Sequence, residues 1–161
     1  MVRLSGRTPK AVYSFHDGCA WRNASAIWSG DIVSRWDDLR DQISAGVNLS
    51  MSGVPNWTHD IGGFALEDRY TKQDPAHVAE WRELNLRWFQ FGAFSPLFRS
   101  HGETPKREIF EIAAGDSAMY DAMVWYDRLR YRLMPYLYGL CWRAHVAGEP
   151  VIAPLFYHFD E

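Results

Sequence analysis

Residues 28–64 read WSGDIVSRWDDLRDQISAGVNLSMSGVPNWTHDIGGF and hold two acids beside glycines, Asp31 and Asp60, each behind a short run that reads as a buried strand. A strand over residues 24–28 is followed by Ser29-Gly30, a pair that lets the chain turn and expose Asp31. A helix over about residues 34–45 comes next: Trp36, Leu39 and Ile43 recur at helical spacing, Ser34-x-x-Asp37 fits a start box, and Gly46 fits a stop. Residues 47–51 alternate apolar and polar and predict the next strand, after which the loop 56–64 presents Trp57, His59, Asp60 and Gly62-Gly63. Acids at successive strand ends are what a β/α barrel displays at one rim. An open parallel sheet would place them on one edge in the same way.

Outward from this stretch the alternation continues. A helix near residues 75–90 shows Val78, Trp81, Leu84 and Trp88 on one face, with Pro75 suited to its first turn. The nearly all-apolar run 91–98 predicts another buried strand, delivering Arg99, Ser100, His101, Gly102 and Glu103 to a loop. A long helical pattern covers about residues 117–147, with Leu129, Leu133, Leu137 and Leu140 as its buried stripe and a kink or break expected at Pro135. Gly148 and Pro150 end it, and residues 151–159 predict a final strand. Residues 1–20 are polar and turn-rich, with only 11–13 suited to a short strand. The fold class is α/β with parallel strands. A closed (β/α)8 barrel takes about 250 residues, so 161 residues correspond to an incomplete portion of one.

Composition narrows the function classes. With 47% hydrophobic and 23% charged residues the chain has a globular profile, and its eight Trp, eight Tyr and nine Phe supply flat faces that suit packing and sugar stacking alike. A net charge of −3 provides no basic footprint for nucleic acid or an anionic membrane. Cys19 and Cys141 lie far apart, without CxxC or Cys/His spacing, and point to neither a disulfide scaffold nor a zinc site. No apolar run approaches the roughly 20 residues of a membrane helix, and the first residues contain no apolar core of a signal peptide.

The chemistry of the candidate residues has two readings each. Asp31 is either a cap for the helix after it or a general acid/base carboxyl, set beside Trp28 where desolvation raises its affinity for a proton. Asp60 is either a turn former ahead of the glycine pair or an acceptor for substrate hydroxyls, a task that suits a carboxylate because its bonds are charge-assisted. His101 is either structural or a donor to a hydroxyl. Trp28, Trp57 and Phe64 are either core residues or stacking faces for the C–H side of a sugar ring. His59, Asp60 and His101 offer metal-ligand atoms without HExxH or clustered spacing, and no GxSxG elbow is present, so no metal or organic cofactor is expected.

WSGDIVSRW, LSMSGVPNWTHDIGGF, WRELNLRWFQFGAFSPLFRSHGE, LRYRLMPYLY and GEPVIAPLF, in that order from about Arg22 onward, resemble the glycoside hydrolase family 31 α-glycosidases. The resemblance implies a (β/α)8 barrel and a retaining, exo-acting hydrolase of terminal α-linked xylose or glucose. It implies that Asp31 is the general acid/base and that Asp60 and His101 hold hydroxyls of the sugar in the −1 subsite, with Trp28 and Phe64 as its aromatic walls. The Trp57-Thr58-His59-Asp60 element is similar to the version in α-xylosidases, which makes xylose the first expectation and Trp57 a further contact.

Two departures accompany the resemblance. The family's nucleophile lies in a Trp-x-Asp-x-x-Glu element, which does not occur here, and where the family has a strand ending in Arg-Ser this chain reads Val12-Tyr13-Ser14-Phe15. Retaining chemistry needs two carboxyls about 5–5.5 Å apart, so the chain by itself is expected to be inactive; the alternative is a non-catalytic carbohydrate-binding fragment. Residues 1–21 are expected to be foreign to the family, 22–148 to be the barrel portion, and 149–161 to enter a truncated β-rich domain.

Overall fold

The computed structural model describes residues 10–11, 26–72 and 74–159. The expectations for residues 1–21, Cys19 and 12–15 among them, fall outside that set except at Lys10 and Ala11, as do residues 24–25 of the first expected strand. The elements in chain order are β1 (Lys10–Ala11), β2 (Ile27–Trp28), α1 (Trp36–Met51), β3 (Trp57–Thr58), α2 (Asp68–Thr71), α3 (Pro75–Gly92), α4 (Ile109–Ile112), α5 (Ser117–Ala147) and a 3-10 turn, Leu155–Tyr157.

β2 and β3 are parallel, with Ile27 opposite Trp57 and Trp28 opposite Thr58, and α1 is the crossover between them. This is the βαβ unit that parallel pairing requires. Single parallel bridges, Val33 to Ala65 and Ile61 to Ser100, carry the pattern on, so the chain returns to the same edge a third time after α3. β1 runs antiparallel to β2, against the all-parallel expectation. The described part is rich in helix, and its core sits on α3, where Leu84 and Trp88 are sealed among Ile32, Leu39, Ile61, Ile112 and Met123.

Several expected elements are corrected by the structure. Gly46 does not stop α1, and residues 47–51 are its last turns rather than a strand. The reason is contact: a Cβ on Gly46 would lie 2.6 Å from the Trp57 ring, so the glycine lets helix and strand approach closely. The helix buries Leu39, Gln42, Ala45, Gly46 and Ser50, leaving Trp36 and Ile43 exposed at the flank of that face. Its start box is not formed, because the Ser34 hydroxyl donates to the Gly62 carbonyl and the cap position is Arg35. The strand missing from 47–51 is β3, inside what reads as a loop.

α3 begins as expected, with Pro75 in its first turn and the Asp74 carboxylate accepting from the Ala76 amide at 2.8 Å. It continues to Gly92, so the apolar run 91–98 is a helix end and a turn, not a strand; short apolar runs fit both. Arg130 of α5 secures that turn by donating to the carbonyls of Ala93, Ser95 and Pro96. α5 passes through Pro135 without a break. The carbonyl that proline leaves without a donor belongs to exposed Tyr131, where water can serve it. Leu137 is buried and Leu129, Leu133 and Leu140 are half-buried. Gly148, at φ 73°, ends α5 as expected. Residues 151–159 form bends and the 3-10 turn in place of the final strand.

Candidate functional site

Side chains alternate across a strand, and this parity sorts the candidates. Trp57 and His59 leave β3 toward the helices, and Thr58 and Asp60 leave it on the face of Trp28. The Trp57 ring is 1% exposed, packed on Gly46 and against His59 and Phe91. It is thereby a core residue of the described structure, away from the other candidates.

His59 is equally sealed. Its Nδ1 accepts from the Trp88 indole N–H at 2.9 Å, which leaves Nε2 as the protonated nitrogen, 3.0 Å from the Ser95 hydroxyl. Burial depresses its pKa from 6.5 to about 3, so it is neutral. His59 and Asp60 point to opposite faces and cannot share an ion. Among the described residues no group of three or more His, Cys, Asp and Glu is placed to hold a metal, and no helix is long and apolar enough to cross a membrane.

Asp60 is fully buried. Its Oδ1 accepts from the Trp28 indole N–H at 3.0 Å and lies 3.4 Å from the Arg99 guanidinium, which also sits over the Trp28 ring at 5.6 Å. Its Oδ2 is buried and has no hydrogen-bond partner among the described residues. Burial raises the pKa of this carboxyl above the usual range; Arg99, His101 and the Trp28 N–H pull it down, and the charge of Asp31 pushes it up. The backbone also makes the turn expected of Asp60, since the Gly63 amide donates to its carbonyl at 2.9 Å. The turn reading of Asp60 therefore holds for its backbone, while its side chain is a buried carboxylate with one oxygen engaged.

Asp31 follows Gly30, whose φ of 88° reverses the chain as the sequence predicts. It is half-buried and lies upstream of α1, whose cap is Arg35, so it does not cap the helix. The Phe64 ring lies against exposed His101, tilted by 35° with the centroids 5.7 Å apart. Phe64 also joins two segments through its backbone, donating to Ile32 O at 2.8 Å and accepting from the Glu103 amide at 2.9 Å. The structure thus gathers Trp28 and Asp60, places Asp31 and His101 within electrostatic reach of Asp60, and pairs Phe64 with His101. A cleft of about 500 Å³ shares His101 with this group and is otherwise lined by residues such as Glu103, Lys106, Arg107 and Asp127.

Sequence reading did not assign a role to Arg99. Its signal was parity: Arg99 and His101 are two apart on an extended segment, so both face the same way. A buried carboxylate with one engaged and one unengaged oxygen, a cation, two aromatic faces and an exposed imidazole is a set of groups able to hold a polyhydroxylated ring.

The match to known proteins covers this region. The family model described as the TIM-barrel domain of glycosyl hydrolases family 31 matches residues 18–140. An α-xylosidase of Saccharolobus solfataricus is 37% identical over 140 residues, 87% of this chain and 18% of the relative. Alpha-glucosidase 2 of Bacillus thermoamyloliquefaciens is 36% identical over 85% of this chain and 16% of its own length. Among solved structures, a family 31 α-xylosidase from Xanthomonas citri superposes with a TM-score of 0.78 at 58% identity, covering 82% of this chain and 14% of that one. A soil-metagenome α-xylosidase of the same family, solved with xylose, gives a TM-score of 0.67 at 37% identity, covering 83% and 21%. The chain spans about a fifth or less of the length of these proteins.

Proposed function

Because the chain belongs to the glycosyl hydrolases family 31 TIM-barrel domain family, we propose that it supplies the acid/base side of a retaining exo-α-glycosidase acting on terminal α-linked xylose, or glucose, in oligosaccharides. In this reading residues 22–148 work as the C-terminal portion of the barrel; the family match begins at residue 18, so residues 18–21 are not foreign to it. The observation that carries the proposal is the unpartnered Oδ2 of buried Asp60, beside Trp28 and Arg99. Such an atom costs free energy until a donor reaches it. A sugar hydroxyl is a donor of the right kind.

Asp31 gives its proton to the glycosidic oxygen as the bond to the anomeric carbon breaks, while a second carboxylate attacks that carbon. In the return step Asp31, now ionised, takes a proton from water, which displaces that carboxylate. Asp60 and His101 hold the ring hydroxyls, Arg99 steadies Asp60, and Trp28 and Phe64 flank the ring. The second carboxylate is not in a Trp-x-Asp-x-x-Glu element of this sequence. That feature favours a second reading, a carbohydrate-binding chain with no chemistry, which predicts sugar binding that survives Asp31→Asn and no hydrolysis.

Leaving-group chemistry tests the first reading. In the protein expressed from its complete reading frame, Asp31→Ala should cost about 100-fold or more on α-xylosides whose leaving group needs protonation, and much less on dinitrophenyl or fluoride substrates, which leave without it. An equal loss on both substrate types would remove Asp31 from the acid role. Activity on α-xylosides against α-glucosides decides the sugar.

A further inference from the structure

Arg107 is 6% exposed, although arginine is seldom buried without an ion-pair partner, and among the described residues its side chain donates to carbonyls. Its Nη2 donates to the Gly63 carbonyl at 2.9 Å, its Nη1 to the Pro105 carbonyl, and its guanidinium lies 5.2 Å from the Trp81 ring centroid. The Arg107 carbonyl accepts from the Ser100 hydroxyl at 3.0 Å. Two glycines give it room. A Cβ at Gly102 would lie 2.5 Å from Nη2, and one at Gly62 would strike the Asn85 amide, with Arg107 Nε next in line at 3.5 Å.

The residue therefore touches both segments that carry the candidate site. One is the turn from Asp60 to Phe64, and the other runs from Ser100 to Gly102 and includes His101. The same two segments are joined beside it by the Glu103 amide on the Phe64 carbonyl. We propose that Arg107 is the positioning residue of the site, its buried guanidinium bonded to the Gly63 carbonyl and packed on Gly102 while its own carbonyl takes the Ser100 hydroxyl, so that Asp60, Phe64 and His101 meet a sugar as one unit. As to the sugar, this rests on the function proposed above.

Electrostatics support the geometry. Burial lowers the Arg107 pKa to about 10, and the charges of Asp60 and Glu103 act in the opposite direction. Attraction between Asp60 and Arg107 is mutual, so Arg107 adds to Arg99, His101 and the Trp28 N–H in favouring the ionised Asp60, against burial and the Asp31 charge.

Two measurements on the sugar-free full chain test the tie. Site-resolved hydrogen exchange of Arg107→Met should show the Gly63 and Glu103 amides exchanging about tenfold faster or more, with the α3 amides at Leu84 and Trp88 little changed. The carboxyl resonance of Asp60 should titrate at higher pH in Arg107→Met and near its original pH in Arg107→Lys, which keeps the cation. Unchanged exchange at both amides, loosening spread evenly over α3 and α5, or an Asp60 titration indifferent to Arg107→Met would overturn the proposal. If Arg107→Met does not fold, Gly102→Ala displaces the guanidinium without deleting its charge. It should speed the same two amides, and wild-type rates there would equally end the idea. Failure of the wild-type protein to bind or cleave α-xylosides and α-glucosides would remove the substrate reading, while exchange and titration still decide the tie.

Discussion

His59 and Asp60 are neighbours in the chain with opposite burdens. The histidine is held neutral by burial, with a pKa near 3 against an ordinary 6.5. As pH falls below 6.5 the unfolded chain takes up a proton that the native state refuses, so this group makes folding less stable from about pH 6.5 down to about pH 3. The slope is at most about 1.4 kcal/mol per pH unit. His59→Gln should flatten that acid slope in urea titrations at several pH values; an unaltered slope would show that His59 is not its source. Asp60 has the other sign. Its pKa is raised, so the ionised form is disfavoured in the native state above that pKa, and the cost fades as pH falls toward the ordinary carboxylate value. Asp60→Asn should therefore leave Tm at pH 7 unchanged or higher while weakening sugar binding by about tenfold or more. A lower Tm at pH 7 together with normal binding would contradict both halves. That Asp31, Trp28, Asp60, Phe64 and His101 lie near one another was legible because each stands beside a strand end or a glycine turn. Which of its two readings Trp57 takes was not legible, because it shares their sequence neighbourhood whereas burial depends on strand parity.

At the scale of elements, α1 shows why a helix boundary is harder to read than a helix. Gly46 looks like a stop, and the alternating stretch after it looks like a strand, yet one contact with Trp57 accounts for the glycine and lets the helix run on. A paired substitution separates these roles. Gly46→Ala forces a methyl group to 2.6 Å from the Trp57 ring and should destabilise by about 1–3 kcal/mol. Gly139→Ala, inside α5 with nothing within 4 Å of its Cβ, should stabilise by about 0.5–1 kcal/mol, the ordinary gain in a helix. Chemical denaturation of both variants checks the pair, and a stabilising Gly46→Ala would mean that helix and strand are not so close. The apolar run 91–98 failed for a related reason: its composition suits a strand and a helix end equally, and the carbonyl contacts of Arg130, far along the chain, shape the turn.

Across the whole molecule, the alternation of helices with parallel segments was readable, and the short parallel pairings agree with it, but the places of the strands were not: 47–51 is helix, 91–98 a helix end and turn, and 151–159 bends with a 3-10 turn. The surface adds a further consequence. α5 leaves Trp125, Tyr131, Tyr138 and Trp142 exposed, and Leu155 and Phe156 follow outside it. Apolar exposure on this scale favours association. The 161-residue chain should therefore elute above its monomer mass of 18.7 kDa in light-scattering chromatography at micromolar concentration, and a monodisperse monomer would count against it. The parity of residues 57–60 also bears on how such a chain changes over generations. Helices and turns between the strand ends can gain or lose residues with local repair. One codon inserted or deleted within 57–60 would instead turn the carboxylate of Asp60 into the aromatic core and the imidazole of His59 out to the site. Inheritance along this segment is therefore confined to substitutions, and length variation among descendants should collect elsewhere.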